Sequence, residues 1–212
     1  MKSEPPFKNL VHSIAELREV AGDPGGLAKN KVISYLDQNC IEFMNHSPFL
    51  VLSTVNQFGD CDASPRGDQP GFVHVLDSAR LIIPERKGNK RLDSIQNILS
   101  QPSVGLLFMI PGTGETLRVN GTAYITRDPE YLEKMTVQGK APLLGIGVEV
   151  KECFLHCAKA FKRSKLWEPE HWPKTEKLPS AAKIMAAHAS TRSITEESVE
   201  EDLKESYKKR LY

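Results

Sequence analysis

The stretch from residue 117 to residue 125 limits the possible folds of this 212-residue chain more than any other, because apolar and polar residues alternate along it. A period of two is expected of a β-strand with one buried face. The residues expected to face the core are Leu117, Val119, Ala123 and Ile125, and those on the opposite face are Arg118, Asn120, Thr122 and Tyr124. Shorter apolar runs are typical of further strands. They lie at residues 49–55, 61–64, 72–76, 81–83, 104–110 and 146–150.

One helical pattern, at residues 89–100, interrupts this series of strands. Five to seven strands with a single crossover helix predict a mainly β, α+β protein: an antiparallel β-barrel with helical additions at both ends. We expect an N-terminal arm at residues 1–28, the barrel domain at 29–173 and a C-terminal helical tail at 174–212, which packs on the barrel or on a partner subunit.

The charge balance excludes some classes of partner. Lys and Arg total 28 and Asp and Glu total 27, so the formal net charge is +1. A nearly neutral chain lacks the strong positive charge of proteins that bind nucleic acid or anionic membranes, and we expect neither partner. The longest apolar runs are far below the roughly 18 residues of a membrane span, and the first residues lack the apolar core of a signal peptide. The sequence therefore predicts a cytoplasmic protein whose four cysteines are reduced thiols.

Several common catalytic motifs are missing from the sequence. No glycine-rich pattern of the Rossmann or P-loop type opens a helix after a strand, and no nucleophile elbow occurs. The six histidines lack the spacing of paired metal ligands. Cys153, His156 and Cys157 could face a metal from one helix, but a single Cys-x-x-x-Cys pair is a weak zinc pattern, and we predict no metal site.

A strongly basic turn lies between a predicted strand and the predicted helix. Pro84 is expected to end the strand and Asn89 to cap the helix, so that Lys90 and Arg91 fall in its first turn. The helix dipole already makes that position electropositive, so two cations there indicate an anion held by backbone N–H groups and charged side chains. We therefore predict a phosphate site. The alternative is a solvated basic turn with Asp93 as its local counter-ion.

The segment at residues 64–71 contains two prolines and two glycines. Because these residues determine the backbone more than a hydrogen-bonded ladder would, we expect an irregular loop there. Arg66 is its notable side chain.

Seven short motifs stand in order between residues 64 and 121. They are Ser64-Pro-Arg-Gly-Asp68, Pro70-Gly-Phe-Val73, Ile83-Pro-Glu-Arg86, Gly88-Asn-Lys-Arg-Leu-Asp93, Val104-Gly-Leu-Leu-Phe108, Ile110-Pro-Gly112 and Leu117-Arg-Val-Asn-Gly121. Together they resemble the pyridoxamine 5'-phosphate oxidase-like flavoproteins, specifically the bacterial branch with a Ser-Pro-Arg/Lys-Gly-Asp loop. The resemblance is strongest over residues 29–167.

This resemblance implies an antiparallel split β-barrel homodimer that binds FMN in two equivalent clefts between the subunits. It implies an FMN-dependent oxidoreductase that moves two electrons between NAD(P)H or a small substrate and oxygen or another acceptor. The alternatives are a non-catalytic flavin- or haem-binding protein on the same barrel and a barrel that binds a deazaflavin or another phosphorylated ligand. The C-terminal region shows no Arg-x-His substrate signature, so pyridoxamine phosphate is not predicted as the substrate and no catalytic residue is assigned.

The resemblance also implies which residues bind FMN. They are Asn89, Lys90 and Arg91 at the phosphate; Ala63, Ser64, Pro65 and Arg66 along the ring and ribityl chain; Ile83 and Pro84 against the ring; and, from the other subunit, Glu115, Thr116, Leu117, Arg118, Arg163, Ser164 and Trp167.

Arg66 and Arg118 are the candidates for a cation at the pyrimidine edge of the flavin. A cation there would stabilise the reduced, anionic flavin and raise its potential. The alternative for both arginines is a structural salt bridge to Asp62, Asp68 or Glu115.

Overall fold

A computed structural model of the protein describes residues 6–189 and 193–212. The chain divides into two compact units, Met1–Val32 and Ile33–Tyr212. The first unit contains helices α1 (Ile14–Ala21) and α2 (Gly26–Asn30). The boundaries predicted at residues 28 and 173 stay predictions.

Within the described residues, the second unit contains one open, seven-stranded antiparallel sheet, six α-helices and two short 3-10 helices, Pro169–His171 and Thr175–Lys177. The strands are β1 (Phe49–Val55), β2 (Cys61–Gly67), β3 (His74–Asp77), β4 (Arg80–Glu85), β5 (Ser103–Met109), β6 (Thr116–Thr126) and β7 (Leu144–His156). The helices are α3 (Gln38–His46), α4 (Asp93–Ser100), α5 (Pro129–Lys134), α6 (Lys159–Ser164), α7 (Ala181–Ala189) and α8 (Glu196–Lys209). The strands are ordered β2-β1-β5-β6-β7-β4-β3, and the predicted antiparallel α+β class is confirmed.

The register of the strands defines an inner face that is buried and an outer face. Paired residues in an antiparallel sheet point to the same side, and Leu50, Phe108 and Leu117 form one fully buried inner row. Burying side chains of this size stabilises the fold by about 1.5–3 kcal/mol each. The predicted alternation of β6 is confirmed, since its apolar set lies inward while Arg118 and Tyr124 are exposed.

Two predictions about prolines are wrong. Residues 64–67 belong to β2 instead of a loop. Within the described residues β2 is an edge strand that pairs with β1 alone, and an edge strand can accommodate the missing N–H of Pro65. Pro84 does not end its strand, because β4 continues to Glu85. In the part of the chain that the structure describes, Pro84 pairs with β7 alone, because the pairing with β3 ends at Ile82. The imide group therefore interrupts no described ladder on the other side of β4.

The predicted helix containing Cys153, His156 and Cys157 is also wrong. Strand β7 extends to His156, and α6 begins only at Lys159. The backbone of Cys153 exchanges two hydrogen bonds with Ile33, at 3.0 and 2.7 Å, and these bonds hold it in an extended conformation. The three residues therefore do not share a helical face.

None of the helices in the described parts of the chain combines the length and apolar character that a membrane span requires.

Candidate functional site

Polar side chains on the inner face of β2 hold helix α4 against the sheet. Ser64 Oγ lies 3.0 Å from Ser94 Oγ, in the first turn of α4. One helical turn further on, the amide of Asn97 donates to Asp62 at 2.7 Å and to Thr54 at 3.0 Å. These contacts place the N-terminus of α4 beside the end of β2.

The predicted start of this helix is wrong. Helix α4 begins at Asp93, and Leu92 is its N-cap residue in the left-handed conformation (φ 58°, ψ 30°). The side chain of Asn89 accepts the N–H of Arg91 at 3.0 Å, so it closes a local turn instead of capping the helix. Lys90 also has a positive φ of 64°. Lys90 and Arg91 therefore precede the helix.

The basic turn does not cap the N-terminus of α4. The first N–H groups of any helix lack an intrahelical partner, and among the residues that the structure describes no side chain caps α4. Two left-handed non-glycine residues in one turn cost roughly 1–2 kcal/mol each. Backbone strain of this kind is concentrated at functional sites. It persists because the surrounding structure compensates for its energetic cost.

Arg66 lies on the inner face at the end of β2 and forms an ion pair with Glu85 at the end of β4. The two side chains are only 15% and 14% exposed. The guanidinium also donates to Ser64 Oγ at 3.3 Å. The salt-bridge partners predicted for Arg66 are therefore wrong, since its carboxylate is Glu85.

A second ion pair joins the same two parts of the sheet. Arg86 Nε donates to Asp68 at 2.7 Å, and its Nη1 donates to the backbone carbonyl of Met135 at 2.9 Å. Because β2 and β4 are separated by four strands in the sheet order, these two pairs link strands that do not share a hydrogen-bonded ladder. We call Arg66–Glu85 and Asp68–Arg86 the two bridges.

Asp68 in the second bridge is almost completely buried, with its side chain 1% exposed. Burial acts to raise its pKa, but hydrogen bonds from the Tyr212 hydroxyl at 2.8 Å, from the Gln69 N–H and from Arg86 outweigh burial, so its pKa is lowered. A pocket of about 180 Å³ lies beside this bridge, with His74 and Lys134 in its wall. Arg86 is thus committed to the bridge.

The remaining cations of the basic turn are Lys87, Lys90 and Arg91, and all three are exposed. Arg91 pairs with Asp93 at 2.9 Å, which is the counter-ion expected for a solvated turn. The two side chains are 73% and 37% exposed. An exposed pair of this kind contributes at most about 1 kcal/mol, so Arg91 remains able to exchange its partner for a ligand anion.

The other predicted site residues gather around the start of β6 and helix α6. Trp167 donates its indole N–H to the carbonyl of Thr113 at 2.9 Å and stacks on Phe161. The backbone at Gly114 lies very close to Ala158, because a Cβ atom at Gly114 would be 2.6 Å from the Cβ of Ala158. This packing brings the segment at residues 115–118 and the segment at 163–167 together.

The exposure of these residues limits what each can offer a ligand. Thr116 and Leu117 are buried, whereas Arg118, Arg163 and Ser164 are exposed. The Arg118 guanidinium lies over the ring of Phe154, 5.4 Å from its centroid. Arg118 therefore makes a cation–π contact instead of the predicted salt bridge.

The two candidate arginines, Arg66 and Arg118, lie on different faces of the sheet. Arg66 shares an inner row with Leu50, whereas Arg118 shares an outer row with Val51 and Pro65. Pro65 and Arg118 are three strands apart, which corresponds to about 14 Å. One chain therefore brings Ser64 and Arg66 to the start of α4, but it does not bring Arg118 to the same side.

The remaining predicted residues lie on β2 and β4. Ala63 and Pro65 are exposed on the outer face of β2, while Ile83 and Pro84 are buried and can offer a ligand only backbone groups.

Sequence reasoning did not identify Glu85 and Ser94 as part of this site. Glu85 stands inside one of the recognised motifs, but nothing in the sequence indicated that β4 would extend past Pro84 and bring it to Arg66.

A sequence profile of the pyridoxamine 5'-phosphate oxidase family matches residues 36–157, more than half of the chain. The protein therefore belongs to this family, whose α+β split barrel it shares. A comparison with curated proteins finds no match.

Solved structures with a related fold have low sequence identity to this chain. HupZ of group A Streptococcus is 19% identical with a TM-score of 0.46, over 57% of this chain and 93% of HupZ. A putative pyridoxamine 5'-phosphate oxidase from Lactobacillus delbrueckii is 23% identical with a TM-score of 0.45, over 58% of this chain and 98% of the other. HutZ, the haem storage protein of Vibrio cholerae, is 14% identical with a TM-score of 0.38, over 57% and 93%.

Proposed function

We propose that this protein is an FMN-binding flavoprotein and an FMN-dependent oxidoreductase. The observation that carries the proposal is the N-terminus of α4, which has no side-chain cap among the described residues and lies between a strained basic turn and the polar end of β2. Membership of the pyridoxamine 5'-phosphate oxidase family, which includes flavin-binding oxidoreductases, supports it.

The chain offers the groups that an FMN phosphate requires. The free N–H groups of α4 and the side chains of Lys90 and Arg91 supply hydrogen bonds and positive charge to a dianion. Ser64 and Ser94 supply hydroxyl groups within 3.0 Å of each other at the same helix end. These residues fit the phosphate end of the cofactor.

The chain also offers surfaces for the flavin ring. For the flavin ring, the edge strand β2 offers its backbone at Ala63 and Pro65, whose side chains lie on the outer face, and the end of β4 presents backbone groups at Ile83 and Pro84. Bound FMN supplies the two-electron chemistry itself, and the protein supplies binding, orientation and charge. We therefore assign no side chain as a general acid or base.

We propose that the complete site needs two copies of the chain. Arg118 and the wall formed by Arg163, Ser164 and Trp167 would come from the partner subunit. The support is their position, because in one protomer Arg118 faces the opposite side of the sheet from Arg66. An interface that carries residues of both copies is typical of a symmetric homodimer.

The absorbance spectrum of the purified protein tests the cofactor. We expect flavin bands, either as purified or after titration with FMN, that bleach when NADPH or a chemical reductant is added without oxygen. Bleaching by NADPH identifies the electron donor, while bleaching only by dithionite means another donor. A Soret band in place of flavin bands would overturn the proposal in favour of haem, and failure to bind either chromophore would overturn both.

A complementation experiment tests the shared site. Lys90→Ala/Arg91→Ala and Arg118→Ala are purified separately, and then unfolded and refolded together as an equimolar mixture. If Arg118 acts in the partner's site, mixed dimers contain one intact site and one doubly altered site, so tight FMN binding returns in about a quarter of all sites. Recovery of no tight sites, with mixed dimers verified by mass, would contradict the shared site.

A further inference from the structure

Two cysteines that are far apart in the sequence lie in contact in the fold. The Sγ atoms of Cys40 and Cys153 are 3.4 Å apart, although the residues are separated by 113 positions. Cys40 is in the first turn of α3 and Cys153 is in β7. Neither belongs to the candidate flavin site.

The backbones on both sides of this contact are held in place by hydrogen bonds. The Asp37 carboxylate accepts the N–H of Cys40 at 2.8 Å and so caps α3. Cys153 exchanges two backbone hydrogen bonds with Ile33, at 3.0 and 2.7 Å. Because both attachment points are fixed, the sulfur atoms stay neighbours without any covalent link.

The two thiols differ in their access to solvent. Cys153 is completely buried at 0% exposure, whereas Cys40 is partly exposed. A small oxidant can therefore reach Cys40, and the thiol next to its sulfur is Cys153. The other two cysteines, Cys61 and Cys157, are exposed on the surface.

We propose that Cys40 and Cys153 form a reversible intramolecular disulfide when the protein meets a hydroperoxide. A disulfide needs an S–S distance of about 2.05 Å, so the two sulfurs must approach each other by a little over 1 Å. We expect rotation about the Cα–Cβ bonds to provide a movement of that size.

The chemistry balances in two steps. The Cys40 sulfur attacks one oxygen of the hydroperoxide, the O–O bond breaks, and the products are a sulfenic acid and an alcohol, or water when the oxidant is hydrogen peroxide. The Cys153 sulfur then attacks the Cys40 sulfur, the S–O bond breaks, and hydroxide leaves with the thiol proton as water. Two thiols lose two electrons in total, and the peroxide gains them.

The environment of the two thiols lowers the rate of their oxidation. Burial raises the pKa of the Cys153 thiol. The pKa of the Cys40 thiol is also raised, by burial and by the hydrogen bond and negative charge of Asp37. The thiolate is the reactive form, so the pair is slow to oxidise at neutral pH. A neighbouring thiol nevertheless captures the sulfenic acid before further oxidation.

The test uses the full chain with Cys61→Ser and Cys157→Ser, so that the proposed pair holds the remaining thiols. After hours with hydrogen peroxide, we expect the intact mass to fall by about 2 Da and both thiols to disappear under denaturing conditions. Dithiothreitol should restore both. Peptide mapping should recover the segments around Cys40 and Cys153 as one linked species.

The control is the same protein with Cys40→Ser, which changes the partly exposed member and leaves the buried one in place. Its mass should show no loss of 2 Da. The cross-link closes a long loop, so the oxidised parent should also melt higher, by about 5–15 °C, than the reduced parent. Two intact thiols, a mass gain of about 32 Da located on the Cys40 peptide as sulfinic acid, or covalent dimers would each overturn the proposal.

This inference does not depend on flavin, because the oxidant is added and the readouts are mass and melting temperature. Loss of FMN binding would leave the disulfide result unchanged.

Discussion

The residues around the start of α4 and those around the start of β6 differ in how much of their environment one chain supplies. At α4, the cations Arg66, Arg86 and Arg91 each face a carboxylate of the same chain. At β6, Arg118 lies over an aromatic ring on the outer face. The first region is organised within one chain, whereas the second presents its cation outward.

This difference indicates how a site can be divided between two copies. The half that holds an anion benefits from being formed before the ligand arrives, because pre-organised donors lose little entropy on binding. The half on the outer face can be contributed by a neighbour without disturbing the core.

Replacing Lys90 and Arg91 together with alanine should weaken FMN binding by several kcal/mol, given about 1.5–3 kcal/mol for each charged hydrogen bond. Both side chains are exposed, so the barrel should keep its melting temperature. Flavin fluorescence titration measures the affinity. The matched control is Lys208→Ala/Lys209→Ala in the last turn of α8, which removes the same charge far along the chain. An equal loss in both variants would mean that the turn is not the phosphate site.

Replacing Glu85 with glutamine should destabilise the fold by about 1–3 kcal/mol, because Arg66 would keep its half-buried charge without a carboxylate. Urea unfolding with a common slope gives the value. The same change should not weaken FMN binding, since Arg66 stays in place and gains freedom to face an anion. A weaker affinity would move Glu85 from the bridge into the binding site itself.

Replacing Asp68 with asparagine should cost about 1–2 kcal/mol near pH 7 and progressively less below about pH 4. The folded-state pKa of Asp68 is lowered, so its contribution is present above the unfolded pKa and is lost as the pH falls through the folded value. Urea unfolding from pH 7 down to pH 3 measures the trend. A difference that stays constant with pH would show that the second bridge contributes through shape and not through charge.

Replacing Asp93 with asparagine should change stability by less than about 1 kcal/mol, because the pair with Arg91 is exposed. The affinity for FMN should rise slightly, since Arg91 loses a competing carboxylate. Chemical unfolding and flavin titration measure the two effects. A cost as large as that of Glu85→Gln would remove the distinction between bridged and solvated pairs.

Much of the sheet could be predicted from local pattern. The alternation in β6 depends only on which residues are apolar, so the inner and outer faces could be assigned correctly. The family could also be recognised, since its motifs are short and lie in order. The start of α4 could not be predicted in this way. The Asn89 side chain accepts the N–H of Arg91 in a turn, and Leu92, in a left-handed conformation, is the N-cap residue of the helix.

Contacts between distant segments were the main source of error. The partner of Arg66 depends on the sheet curling until β2 and β4 meet, and no property of either segment alone specifies Glu85. The contact between Cys40 and Cys153 has the same origin, since it needs α3 and β7 to be neighbours. Helix α7 lies inside the helical tail predicted at residues 174–212, although its apolar residues show no clear helical face.

Pro65 on the edge strand β2 has a consequence for how copies of the protein can associate. The rim of an open sheet is a template on which another chain can add a strand, and such growth leads to fibres and precipitates. A proline on that rim removes one of the donors that an incoming strand would need. Crowded solutions of this protein should therefore resist strand-by-strand growth at β2.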